Sequence, residues 1–114
     1  MDTNRNLAVR PRERREAHRK ATNIVVHIAA PQGLFFGYAR NVSPGGICVE
    51  SEVPLPVGTT AQLTFRLFTD REEPLRLRGR VAWVAPSNTP VIHRLGFTFD
   101  AVTEAAAQEI ESYL

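Results

Sequence analysis

The feature that most constrains the fold of this chain is a strict alternation of apolar and basic residues in LRLRGRVAW, residues 75–83. Successive side chains of a β-strand point to opposite faces of a sheet, so the pattern predicts a strand with one buried and one solvated face. Trp83 falls on the apolar face and is therefore predicted to belong to the core. The apolar set is Leu75, Leu77, Gly79, Val81 and Trp83, and the solvated set includes Arg76, Arg78 and Arg80.

Five further segments have the composition of short strands, because β-branched and aromatic residues fill them and turn-forming residues separate them. The C-terminal stretch is instead rich in alanine and glutamate, which favour a helix. Six strands followed by one helix predict a small antiparallel barrel or sandwich with the helix packed at one end. The strands span residues 23–30, 34–42, 47–51, 59–68, 75–85 and 91–99, and the helix spans 102–114.

The predicted helix has a capping residue and one apolar face. Thr103 has a hydroxyl group of the kind that accepts a hydrogen bond at a helix N-cap. Apolar residues recur at helical spacing behind it, so this face is expected to pack on the barrel. They are Val102, Ala106, Ile110 and Tyr113 or Leu114.

The positive charge of the chain is concentrated at its N-terminus. Residues 1–20 hold seven basic and three acidic residues, a net charge of +4, whereas the remainder has a net charge of −2. Thirteen of the fourteen basic residues are arginine, whose planar guanidinium suits phosphates and base edges. An anionic partner is predicted, with a solubilising tail as the alternative. We interpret residues 1–13 as a flexible basic arm and residues 14–114 as a single domain.

Several classes of function lack the residues they need. The single cysteine, Cys48, excludes an intrachain disulfide and is predicted to be a small core residue. No apolar run is long enough to span a membrane and no signal peptide is evident, so a cytoplasmic protein is expected. His18, His27 and His93 lack metal-ligand spacing, and no nucleophile–base pair or phosphate-binding loop is present. A binding module, rather than an enzyme with a cofactor or metal, is predicted.

Two short motifs indicate what such a binding module binds. The first is RREAHR, which contains Arg15-x-x-x-Arg19 preceded by Arg14, and the second is NVSPGG, residues 41–46. Together with GRVAWV and RLGFTF, in this order, they resemble the PilZ family of bacterial cyclic di-GMP receptor domains. The signature of that family is RxxxR in a flexible segment and [D/N]xSxxG at a turn between strands. The resemblance covers residues 12–114 and implies a six-stranded antiparallel β-barrel of the split-barrel type with a C-terminal helix.

The resemblance also implies which residues bind the ligand. Arginine forks donate two hydrogen bonds to a phosphate or to the O6/N7 edge of guanine, and the carbonyl oxygen of Asn41 complements the N1–H and N2–H donors. Most family members have aspartate at that position, so the neutral asparagine predicts weaker binding. The expected ligand-binding residues are Arg14, Arg15, Arg19, Asn41, Ser43 and Gly46, with Gly45, Trp83, Arg94 and Gly96 as further candidates.

The number of ligands bound is a separate expectation. In the PilZ family a basic residue directly before RxxxR, here Arg14, is associated with two intercalated cyclic di-GMP molecules. A bulky apolar residue there is associated with one molecule. The resemblance therefore implies a stacked dimer of the ligand.

Three functions remain open from the sequence. The first is a stand-alone cyclic di-GMP receptor that relays binding by conformational change to an effector protein in motility, pili, chemotaxis or exopolysaccharide control. The second is a PilZ-type adaptor that binds no nucleotide. The third is a barrel that binds single-stranded nucleic acid, which requires aromatic residues exposed on a strand face. Because the apolar surroundings of Phe35, Phe36 and Tyr38 predict packing in the core or packing specific to the family, no DNA or RNA partner is expected.

Overall fold

The computed structural model describes residues 20–21, 24–68 and 73–114. The predicted arm, residues 1–13, lies outside this part of the chain. Within it the backbone forms seven strands and one helix. They are β1 (Lys20–Ala21), β2 (Val25–Ala30), β3 (Gly33–Ser43), β4 (Gly46–Ser51), β5 (Thr60–Phe65), β6 (Leu75–Pro86), β7 (His93–Asp100) and α1 (Glu104–Tyr113).

Six of these strands close a barrel. Each pairs antiparallel with its neighbours in the order β3–β2–β5–β6–β7–β4, and β4 returns to pair with β3. The predicted six-stranded antiparallel barrel with a C-terminal helix is confirmed. The two-residue β1 lies beside the end of β3, with Lys20 opposite Val42 and Ala21 opposite Asn41. It was not predicted, because two residues are too few to show an alternating pattern.

The core fills the barrel mostly with alternate residues of the strands, although β4 and β7 each also bury a run of three consecutive residues. Its largest fully buried side chains come from all six barrel strands and helix α1, and they include Ile28, Val49, Leu63, Phe65 and Leu95. Cys48 is also buried, although the packed core cluster does not include it. Because the interior takes mostly alternate residues, the opposite faces of the strands are largely left for other uses.

Helix α1 adds its apolar face to this core. Ala106 and Ile110 are buried in it, and Val102, Tyr113 and Leu114 are partly buried against it, so the predicted helical face is confirmed. The Thr103 side chain accepts a hydrogen bond from the backbone N–H of Ala106 at 3.1 Å, which is the predicted N-cap. Among the described residues, no helix has the length and hydropathy that crossing a bilayer requires.

A β-bulge in β6 reverses the prediction for Trp83. Val81 lies opposite Phe97 and Trp83 lies opposite Gly96, so one residue, Ala82, is extra on β6. An extra residue moves the following side chains to the other face of the sheet. Val81 is fully buried, whereas Trp83 is 45% exposed. The assignment of Trp83 to the core was therefore wrong.

The aromatic residues of β3 also differ from their prediction. Phe35 is partly buried against the core, but Phe36 and Tyr38 are 59% and 51% exposed. Their rings meet edge to face with centroids 6.2 Å apart. The alternation along β3 places Leu34 on the same outer face, where it is 84% exposed. The predicted core packing of Phe36 and Tyr38 was wrong, and an apolar patch lies on the surface instead.

Candidate functional site

A pocket of about 280 Å³ lies where the end of β3 meets β4, β6 and β7. We call it the corner pocket. The structure brings together here six of the residues that the motifs singled out, although they come from four different strands and one turn. They are Asn41, Ser43, Gly45, Gly46, Trp83 and Gly96.

A bulge in β3 presents the motif residues to this pocket. The register of β3 against β4 shifts between Ala39 and Asn41, so Arg40 is the extra residue. Before the bulge the odd-numbered residues face the barrel interior, and after it Val42 is buried instead. Asn41 and Ser43 therefore leave the interior face and line the pocket. A regular strand would have turned both side chains inward.

Gly46 is required by a close approach of two backbones. It starts β4 opposite Thr98 of β7, and a Cβ atom at this position would collide with the carbonyl oxygen of Phe97 and lie 3.3 Å from its carbon. Gly45 is different, because the nearest atom to a Cβ there is Ser43 Oγ at 4.0 Å. The motif glycine thus brings the corner against β7, and any side chain there would push the pocket open.

Trp83 forms an aromatic wall of the pocket, and Gly96 makes room for it. A Cβ atom on Gly96 would contact the indole ring, with Cδ2 at 2.7 Å. The ring therefore lies directly on the backbone of β7, while 45% of its surface remains exposed. An exposed aromatic ring held in this way offers a stacking surface to a flat ligand, and base–aromatic stacking contributes about 1–3 kcal/mol per base.

The two arginines of the RxxxR motif, Arg15 and Arg19, and the preceding Arg14 lie outside the described residues. The position of β1 nevertheless bears on their reach. Because Lys20 is opposite Val42 and Ala21 is opposite Asn41, the chain enters β1 from the side of the corner. Arg19 is bonded directly to Lys20, and Arg15 is five residues away, a span of at most about 18 Å of extended chain. Connectivity alone therefore allows both arginines to reach the corner pocket.

Arg94, a further candidate, is placed apart from the corner pocket. It lies opposite Glu50 in the pairing of β7 with β4, and its Nε atom is 3.5 Å from Glu50 Oε2. The same carboxylate oxygen is 3.3 Å from an Nη atom of Arg40, with which it forms a hydrogen bond. Arg94 therefore pairs with a carboxylate on the outside of the barrel and does not line the pocket.

The sequence analysis missed the hydroxyl-bearing pocket residue Thr98. Thr98 lies opposite Gly46, is exposed and lines the pocket, where its hydroxyl group can donate or accept a hydrogen bond. The signal was present, since Thr98 shares the face of Gly96 two residues along β7. No cluster of three metal-ligating side chains occurs among the described residues.

Comparison with known proteins gives one family. A family model for the PilZ domain matches residues 13–114. No curated protein sequence matches the chain.

Three solved structures show the same fold. The Bacillus subtilis inhibitor of motility, MotI/DgrA, has a TM-score of 0.71 at 16% identity over 83% of this chain and 46% of its own. The PilZ domain of YcgR from Escherichia coli with c-di-GMP has a TM-score of 0.65 at 13% identity over 82% of each chain. The PilZ domain of CeSA from a cellulose-synthesizing bacterium has a TM-score of 0.58 at 22% identity, over 82% of this chain and 90% of its own. The present chain thus spans about half the length of MotI/DgrA, and these identities show a shared fold.

Proposed function

The chain belongs to the PilZ domain family, and from this premise we propose that it is a receptor for cyclic di-GMP that binds its ligand at the corner pocket. The observation that carries the proposal is the convergence of Asn41, Ser43, Gly46 and Trp83 on one pocket. These residues come from separate strands, and two bulges and two close backbone approaches are needed to bring them together. A turn that served only to connect β3 with β4 would need none of the contacts to β6 and β7.

The chemistry of the pocket suits a guanine base. One face of the base stacks on the exposed ring of Trp83. The carbonyl oxygen of Asn41 accepts from the N1–H and N2–H donors, and the hydroxyl groups of Ser43 and Thr98 supply further polar contacts. The pocket holds one base and leaves the phosphates at its mouth, because its walls are mainly apolar or neutral. A charged partner for the phosphates has to come from elsewhere in the chain.

The N-terminal segment supplies that charge. Arg15 and Arg19 donate bidentate hydrogen bonds to the phosphates or to the O6/N7 edge of guanine, and Arg14 supports a second, intercalated ligand molecule. Binding then draws this segment onto the corner of the barrel, and the ordered segment is the signal that an effector protein reads. The protein acts in the cytoplasm as a binding module, without a catalytic residue or a cofactor, and serves motility, pili, chemotaxis or exopolysaccharide control.

A nucleotide-independent adaptor is the second candidate, and the exposed apolar side chains of Leu34, Phe36 and Tyr38 favour it. Apolar patches of this kind on a small domain mark protein-interaction surfaces. The same patch does not favour binding of single-stranded nucleic acid. Its aromatic rings adjoin the carboxylates of Glu50 and Glu52, which repel phosphates.

Calorimetric titration of cyclic di-GMP into the purified chain tests the proposal, with GTP and a short single-stranded oligonucleotide as controls. We expect selective binding of cyclic di-GMP at two molecules per chain. A stoichiometry of one retains the receptor and removes the role of Arg14. Absence of binding refutes the receptor and leaves the adaptor, and binding of the oligonucleotide instead refutes both.

A further inference from the structure

The first half of β3 is an open sheet edge. Residues 33–38 pair with β2, but pairing with β4 begins only at Tyr38. Among the described strands, Gly33–Gly37 therefore has a partner on one side only. A strand in this position directs the N–H and C=O groups of alternate residues outward, where another strand can pair with them. The open stretch is five residues, or about 17 Å, long.

Within its own sequence this edge lacks two features that usually prevent strand addition, charged side chains and prolines. Proteins protect open edges with charged side chains, prolines or covering loops. The stretch GLFFGY, residues 33–38, contains neither a charged residue nor a proline, and its outward side chains Leu34, Phe36 and Tyr38 are between 51% and 84% exposed. By contrast, the outward residues Arg76, Arg78 and Arg80 of β6 are all charged. The apolar edge is thus a local exception on this barrel.

A groove of about 430 Å³ runs along the open edge. One wall is β3 from Leu34 to Tyr38, and the other is formed by residues 50–53 together with Thr89 and Ile92 of the loop between β6 and β7. We call it the β3-edge groove. Its lining includes the carboxylates of Glu50 and Glu52 and, among the described residues, no basic side chain. Glu50 is already paired with Arg40 and Arg94, whereas Glu52 is exposed at the rim.

We propose that the β3-edge groove binds an extended segment of a partner protein, which adds to Gly33–Gly37 as a strand. The segment carries apolar side chains that pack on Phe36 and Tyr38 and a lysine or arginine that faces Glu52. Main-chain hydrogen bonds give such complexes affinity, and the side-chain contacts give them specificity. A second copy of this chain fits poorly, because GLFFGY contains no basic residue to face Glu52.

The inference names a surface for the effector protein of the proposed function, and it rests on that function only for its biological role. The groove and the corner pocket occupy opposite halves of one strand. Glu50, which lines the groove, forms a hydrogen bond with Arg40, the bulge residue next to Asn41. Because the two surfaces do not overlap, each can be tested without the other.

The test uses fluorescence anisotropy with labelled eight-residue peptides and the full chain, in the absence of cyclic di-GMP. The first peptide alternates valine with lysine and threonine, the second has glutamate in place of lysine, and the third is the first with N-methyl groups on the amides of one strand edge. We expect the lysine peptide to bind at least ten-fold more tightly than either of the others. Equal binding of the N-methylated peptide would exclude strand addition.

Charge-reversing variants locate the site. Glu52→Lys is expected to weaken binding of the lysine peptide at least ten-fold and to favour the glutamate peptide. The matched control is Glu104→Lys, which makes the same change at an exposed position on helix α1 and is expected to have less than a two-fold effect. Equal losses in both variants, or no binding of the lysine peptide to the wild-type chain, overturn the proposal. Sedimentation equilibrium that shows a dimer dissociated by Phe36→Ser would assign the groove to a second copy instead.

Discussion

The two halves of strand β3 differ in their strand pairing and in the side chains on their outer face. From Tyr38 onward the strand pairs with β4 and, at Asn41 and Val42, with β1, and its side chains on the outer face are polar. From Gly33 to Gly37 it pairs only with β2, and its outward side chains are apolar. The boundary is the bulge at Arg40, close to the point where the second pairing begins. One half is suited to a small polar ligand and the other to a strand from a partner.

This difference shows how pairing determines what an exposed strand face can bind. Where both edges of β3 are satisfied, only side chains and glycine-lined backbone are available, and recognition depends on Asn41, Ser43 and the neighbouring Trp83. Where one edge is open, the backbone itself is a binding group, and specificity comes from Leu34 and Phe36, with Tyr38 at the boundary. Substitutions in one half should therefore leave the function of the other half unchanged.

The largest expected effect comes from the arginine motif. Arg15→Ala or Arg19→Ala is expected to weaken cyclic di-GMP binding ten- to a hundred-fold in calorimetric titration, because loss of a charge-assisted hydrogen bond costs about 1.5–3 kcal/mol. Arg76→Ala removes an exposed arginine from β6 and serves as the control, with a change of less than two-fold. Wild-type affinity in both motif variants would show that the RxxxR motif does not contact the ligand. Binding of the lysine peptide should stay the same throughout.

The next effect concerns the aromatic wall. Gly96→Ala places a methyl group against the Trp83 ring, so the ring must move away from β7. We expect about ten-fold weaker nucleotide binding, which lies within the free energy that one base–aromatic stack contributes. Trp83 is the only tryptophan in the chain, so its fluorescence reports the displacement directly. Arg76→Ala is again the control, because Arg76 lies on the same strand as Trp83 but does not line the pocket. A shifted emission spectrum with unchanged affinity would remove Trp83 from the binding site.

A smaller effect of opposite sign is expected at the motif asparagine. Asn41→Asp adds a negative charge where the N1–H and N2–H donors of guanine are placed, and charge-assisted hydrogen bonds are about twice as strong as neutral ones. We expect cyclic di-GMP to bind three- to ten-fold more tightly in competition titration. Asn88→Asp, in the exposed loop between β6 and β7, controls for the change in net charge. Weaker binding by Asn41→Asp would mean that the asparagine donates to the ligand instead of accepting.

The smallest effect on the nucleotide is expected in the apolar half. Because Phe36 is 59% exposed, Phe36→Ser should change the free energy of unfolding by no more than about 0.5 kcal/mol. It should leave the affinity for cyclic di-GMP unchanged and weaken binding of the lysine peptide. Phe65→Ser is the contrasting variant, since Phe65 is 2% exposed and truncation of a buried phenylalanine costs about 3–5 kcal/mol. Urea denaturation measures both. A large loss of nucleotide affinity in Phe36→Ser would break the separation between the two halves of β3.

Local patterns in the sequence determined the secondary structure and the motif residues. The alternation in LRLRGRVAW predicts β6 as far as Val81, and Thr103 with the apolar spacing behind it predicts α1. These features depend on neighbouring residues only, so no knowledge of pairing was needed. The motif residues Asn41, Ser43 and Gly46 were identified by their resemblance to the PilZ signature, and the structure places them in one pocket. The contacts of Arg14, Arg15 and Arg19 remain a prediction.

Only the tertiary structure decided which way the critical side chains face. Alternation predicts a face only while strand pairing is regular, and the bulges at Arg40 and Ala82 arise from the register of β3 against β4 and of β6 against β7. They bring Asn41, Ser43 and Trp83 to the outside. The exposure of Phe36 likewise follows from its place on the outer face of the closed barrel, and the strands that close the barrel lie far apart in the sequence. Pairing between distant strands is a property of the closed barrel, and a local sequence pattern does not predict it.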